Sequence, residues 1–141
     1  MRERYAHWQA IATRWMDNDV YGHVNNVVYY SYFDTLINTY LIGEGGLDIH
    51  AGPVIGLCVE SGCRFMKPVA FPETVDAGLA VTKVGNSSVR YEIGLFRQGD
   101  ADPAAEGHFV HVFVDRSTRR PTPLPLPLRE ALTRMVAIAP T

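Results

Sequence analysis

The chain has 141 residues, 47% of them apolar, and a formal net charge of −2. That size predicts a single domain, 1–141, able to bury roughly 68% of its unfolded surface. The near-neutral balance argues against nucleic acid or an anionic membrane as partner, and no stretch is apolar and long enough to span a bilayer.

The start, Met1-Arg2-Glu3-Arg4-Tyr5, is charged with no apolar run behind it, so no signal peptide is read. Arg4 to Arg14 reads as a first strand with Tyr5, Trp8 and Ile11. Asp17 to Asn26 is a polar loop holding two carboxylates, Gly22 and His23. From Val27 to Ile42 there is no Gly or Pro, and the polar residues Ser31, Asp34, Thr35, Asn38 and Thr39 draw one stripe at helical spacing. A helix apolar around the rest of its circumference must be wrapped by other elements. Asn25 and Asn26 suit its N-cap, and Gly43, Gly45 and Gly46 end it.

Val54 to Lys67 predicts a long strand in which Gly56 and Gly62 mark bulges or close neighbours. Cys58 and Cys63, five apart, are expected on opposite faces of it, as reduced core thiols of a cytoplasmic protein rather than a disulfide. Thr74 to Lys83 and Val89 to Arg97 alternate in the strand period around the turn Gly85-Asn86-Ser87-Ser88. Glu106 to Asp115 is the last strand, with Val110, Val112 and Val114 on one face and Phe109, His111 and Phe113 on the other. Leu126 to Val136 reads as a short amphipathic helix with Pro127 in its first turn. Short hairpin connections predict an antiparallel sheet with one face on the helix. The opposite face is expected to carry Phe109 and Phe113 and to be buried against a second subunit.

The loop and helix together point to chemistry. Amides in a helix first turn lack backbone partners and carry the positive end of the helix dipole, which suits an anion or a developing oxyanion. The run Asp17-x-Asp19-x-x-Gly22-His23-Val24-Asn25-Asn26, followed by Tyr29, resembles the 4-hydroxybenzoyl-CoA thioesterase family of hotdog-fold acyl-CoA thioesterases. The likeness extends through Phe65-x-x-Pro68, the Gly85–Ser88 turn, Val112-Phe113-Val114-Asp115 and Arg120-Pro121. Met16 departs from it, standing where many members carry a small residue.

The resemblance implies an α+β hotdog fold: a curved antiparallel sheet of about five strands wrapped around one long central helix. It implies a homodimer or homotetramer with sites between subunits, and hydrolysis of a fatty or aromatic acyl-CoA without metal or organic cofactor. Asp19 maps to the catalytic carboxylate, as general base or nucleophile. His23 maps to a group that orients water or binds the thioester oxygen. The backbone amide of Asn26 maps to the oxyanion donor. Gly85, Asn86, Ser87 and Ser88 map to a turn approaching CoA, with Lys83 and Arg90 beside it. Asp17 is expected to brace the loop, and Asp34 is a rival acid on the helix stripe.

Other chemistries fit less well. His108 and His111 face opposite ways on one strand with no acidic or thiol residue at ligand spacing, so no metal site is read. There is no Gly-x-Ser-x-Gly elbow. A hotdog hydratase would carry Asp five residues before His with Asn-Pro between; here Asp19 and His23 are four apart across Val-Tyr-Gly. A non-catalytic acyl-CoA binding protein would have no use for Asp19.

Overall fold

The computed structural model describes residues 2–138. Strand β1 (His7–Ala12) leads through the polar loop into helix α1 (Asn26–Gly43). Strands β2 (Val54–Phe65), β3 (Thr74–Val84), β4 (Ser88–Arg97) and β5 (Ala105–Asp115) follow, then helix α2 (Leu126–Ile138). The five strands form one sheet in the order β1-β3-β4-β5-β2, antiparallel at every pair.

The sheet's concave face is built by alternation. Ala77, Leu79, Tyr91, Ile93 and Leu95 project from β3 and β4 against Phe33, Leu36, Ile37 and Leu41 of α1. The 18 residues of α1 span about 27 Å. At Gly107 of β5 there is no room for a side chain, because any Cβ would run into the Phe33 ring of α1. The expectation of one central helix needs correction, because α2 lies beside α1 on the same face. Its Leu128, Ala131, Leu132 and Met135, at helical spacing, join the same core. Tyr40 of α1 donates its hydroxyl to the Ala131 carbonyl of α2 at 2.8 Å.

Two further expectations fail. Phe109 and Phe113 do not wait for a second subunit; they lie in the core beneath α1 and α2. Their neighbours Val110 and Val112 point to the convex face. Cys58 and Cys63 share a face. A bulge between Cys58 and Glu60 inserts an extra residue, so Cys58 pairs opposite His111 and Cys63 opposite Gly107, both on the helix side. The bulge falls between the two glycines rather than at either. Cys58 is exposed rather than in the core, Cys63 is half-buried against the core's edge, and both are free. His111 and His108 do face opposite ways. The buried His111 ring meets the Tyr91 hydroxyl at 2.9 Å, whereas His108 meets Glu60 at 3.0 Å.

On the convex face, Tyr5 lies across Gly78 and Gly94, whose missing side chains leave it room. Among the described residues no helix is long and apolar enough to cross a membrane.

Candidate active site

The loop between β1 and α1 is held from inside by one carboxylate. A short 3-10 turn, Trp15–Asp17, delivers Asp17 to a site where only 1% of its surface is exposed. Its side chain accepts the Tyr32 hydroxyl at 2.7 Å, the Arg14 backbone N–H at 2.9 Å and the Arg14 Nε at 3.0 Å. Burial pushes the Asp17 carboxyl up, but the hydrogen bonds from Tyr32 and Arg14 and the guanidinium charge outweigh it. They hold the group below the usual carboxylate range. The same contact, added to burial, pushes the Tyr32 phenol up. The Asp17 carbonyl takes the Asn25 N–H at 2.9 Å, which sets the cap residue at the helix start.

Beyond Asp17 the loop tightens into a turn. The Asp19 carbonyl accepts the Gly22 N–H at 3.1 Å, and Gly22 sits at φ +86°, a conformation that glycine adopts without strain. The Asp19 N–H is bound by the His23 carbonyl at 2.9 Å. One Asp19 carboxylate oxygen accepts the Tyr21 N–H at 2.8 Å; the other receives the Asn25 side-chain amide at 3.4 Å. Asp19 is half-buried, unlike Asp17.

Asn25 caps α1, its side chain accepting the Val27 N–H at 3.0 Å and its carbonyl the Val28 N–H. The Asn26 N–H has no hydrogen-bond partner among the described residues, which leaves it available at the positive end of the helix.

Asp19, His23 and Asn26 line one cleft of about 470 Å³. Its other wall comes from Tyr29 of α1 and from Phe65, Met66, Lys67 and Pro68 at the end of β2. Sequence reading assigns these wall residues no role. Tyr29 follows the loop in the chain and stands in the motif; Phe65 to Pro68 reach the loop from some forty residues away, with Phe65-x-x-Pro68 as their signal in the sequence. The loop is also clasped from that distance, with Val24 N–H on the Val69 carbonyl at 2.7 Å and the Asn18 side chain accepting the Phe71 N–H at 3.0 Å.

Residues 13–132 match a family of known proteins, the Thioesterase-like superfamily. The chain belongs to that superfamily. It is similar to the PA5185 protein of Pseudomonas aeruginosa strain PAO1, at 57% identity over 95% of this chain and 94% of that one, with a TM-score of 0.94. The PA2801 protein of Pseudomonas aeruginosa is 32% identical over 91% of this chain and 98% of that one, with a TM-score of 0.85. The SAV2348 protein of Staphylococcus aureus, solved in complex with CoA, shares the fold at 12% identity, covering 95% of this chain and 85% of that one with a TM-score of 0.87. No curated protein matches the chain. The five-stranded antiparallel sheet over α1 is the hotdog arrangement of these thioesterase-like chains.

Two groups of residues in this thioesterase-like chain stand apart from the cleft. Gly85, Asn86, Ser87 and Ser88 lie at the far end of β3, about 34 Å of strand from the end that meets the loop. There the Gly85 N–H is bound by the Ser88 carbonyl, and Arg129 donates to the Gly85 and Asn86 carbonyls at 2.9 and 2.8 Å. The Asn86 and Ser87 N–H groups have no partner among the described residues. Asp34 lies on the exposed stripe of α1 and is not part of the cleft lining. No group of three or more His, Cys, Asp or Glu among the described residues is arranged to hold a metal.

Proposed function

We propose that the protein hydrolyses an acyl-CoA to the free acid and CoA. The observation that carries this reading is the convergence of Asp19, His23 and the unpartnered Asn26 N–H in one cleft at the start of α1. The thioester carbonyl oxygen rests on the Asn26 N–H, where the helix end stabilises the charge of the tetrahedral intermediate. Asp19 takes a proton from water as the oxygen attacks the carbonyl carbon, or attacks that carbon itself and forms an anhydride that water then cleaves to the free acid and Asp19. His23 orients the water. The carbon–sulfur bond then breaks, and the CoA thiolate collects a proton.

The motif's likeness to 4-hydroxybenzoyl-CoA thioesterases, and membership of the superfamily, support a CoA thioester as substrate. Asn86 and Ser87 in the hairpin turn offer free N–H groups to the CoA phosphates. Because they stand at the other end of β3, this reading has them serve the cleft of a partner subunit. A homodimer or homotetramer of this single cytoplasmic domain fits the uncovered edge of β2. That strand is bonded only to β5 and leaves Val59 and Phe65 59% and 47% exposed.

The test is release of free thiol from a panel of acyl-CoAs by the purified full chain. Turnover is expected for at least one class of acyl group. Water addition across an enoyl-CoA would make the protein a hydratase, and saturable binding without turnover would make it a carrier; either result ends the hydrolase reading.

A further inference from the structure

Asp19 does not sit at the end of a cleft but on the ridge between two. The second, of about 670 Å³, is lined by Trp15, Asn18, Val20, Gly22 and Asn25, and Asp19 and Tyr21 belong to both. A thioester carbonyl is trigonal, so its acyl and thiol substituents leave the reacting carbon in diverging directions. A carboxylate that meets that carbon needs room on either side of itself, and Asp19 has it.

The two sides differ in chemistry. Beside its apolar wall of Tyr29, Phe65 and Met66, the first carries Lys67, ion-paired to Asp100 at 3.6 Å, together with His23 and the open helix N-terminus. Those groups suit the polar, anionic CoA arm. The second holds no charged side chain other than Asp19 itself. Beside the neutral Asn18 and Asn25, its walls are large apolar groups turned outward: Trp15 is 79% exposed, Val20 95% and Tyr21 83%. Trp15 is not loose, because its ring stands edge-on to Phe71 at 5.8 Å between centroids. Its neighbour Arg14 is tied to Asp17 rather than reaching over the cleft.

We infer that Trp15 and Val20 determine acyl specificity, forming the bed for an extended apolar acyl group. The substrate class is then a medium- or long-chain or aryl acyl-CoA, not acetyl-CoA. This inference rests on the hydrolase reading above.

The experiment measures kcat/KM for saturated acyl-CoAs from acetyl to dodecanoyl with the wild type, Trp15→Ala and Val20→Asp. Each methylene the bed shields is worth roughly fourfold in kcat/KM. The wild type is expected to prefer the longer chains. Each variant is expected to lose about tenfold or more on dodecanoyl-CoA relative to its loss on acetyl-CoA. A loss that is the same at every chain length, or no loss at all, overturns the inference while leaving hydrolysis intact. Should Trp15→Ala change the oligomeric state in size-exclusion chromatography and slow all chain lengths alike, Trp15 is a subunit contact instead. A wild type that cleaves no member of the series overturns both readings together.

Discussion

The two halves of the loop between β1 and α1 carry the same functional group and treat it in opposite ways. In the first half Asp17 is sealed from solvent and its side chain is saturated by Tyr32 and Arg14. In the second half Asp19, two residues on, holds one donor on each oxygen and borders open space on two sides. A carboxylate with every lone pair engaged is a strut. One with spare capacity beside a helix N-terminus has the freedom that the reagent of the proposed hydrolysis needs. On the proposed reading the contrast lets a short motif be both rigid and reactive: the strut fixes the backbone on which Asp19 stands.

The largest expected effect separates the two roles outright. Asp19→Asn keeps the shape of the side chain and removes its basicity, so kcat should fall by about 10² or more while the melting temperature stays put. Steady-state thiol release and a thermal melt on the same preparation check this. Asp34→Asn is the matched control on α1; if it is the inactive variant, the reagent has been misidentified.

Asp17→Ala should do the reverse. It strands the Tyr32 hydroxyl and the Arg14 N–H, at a cost of about 2–3 kcal/mol, and should lower the melting temperature by roughly 10 °C. Activity lost on folded protein at low temperature should be smaller than for Asp19→Asn.

Acid titration sharpens the comparison further. Burial depresses the His111 imidazole to about 4, so the unfolded chain binds a proton there first and stability falls as pH drops from about 6.5 to 4. The Asp17 carboxyl is held low in the folded state, so its contribution is full at neutral pH. It is lost as pH falls below about 4. Melting curves against pH should therefore show two successive declines, and Asp17→Ala should make the lower one shallower, leaving the share of Asp48 and Asp115, whose carboxyls backbone N–H groups also hold low.

Tyr32→Phe is the mildest probe. It removes one hydrogen bond of the strut, worth about 1 kcal/mol, and should lower stability slightly with at most a few-fold change in kcat.

Much of this was legible because the residues concerned are neighbours in the chain. The stripe from Ser31 to Thr39 marks α1, and the alternation in β3, β4 and β5 gives the sheet. The loop motif brings Asp19, His23 and Asn26 together with no long-range contact needed. Long-range facts were not legible. The bulge at Val59 reverses the parity of β2, so counting by twos from Cys58 to Cys63 assigns the wrong face. Alternation in β5 separates Phe109 from Val110 but does not say which set meets the helix; in the structure it is the set that includes Gly107, over which the Phe33 ring lies. The cleft wall at Phe65 to Pro68 depends on how β2 ends against α1, which no local pattern encodes.

Phe33 occupying the space above Gly107 has a consequence for the reaction centre. The ring works as a key in a notch. Flanking strand positions bear side chains, so α1 has nowhere else along β5 to seat that ring. Sliding or rolling the rod would require lifting it off the sheet. The tip of α1, some two turns upstream, is thereby indexed to one location, and a glycine on the opposite side of the core sets where the first-turn amide of the proposed site stands.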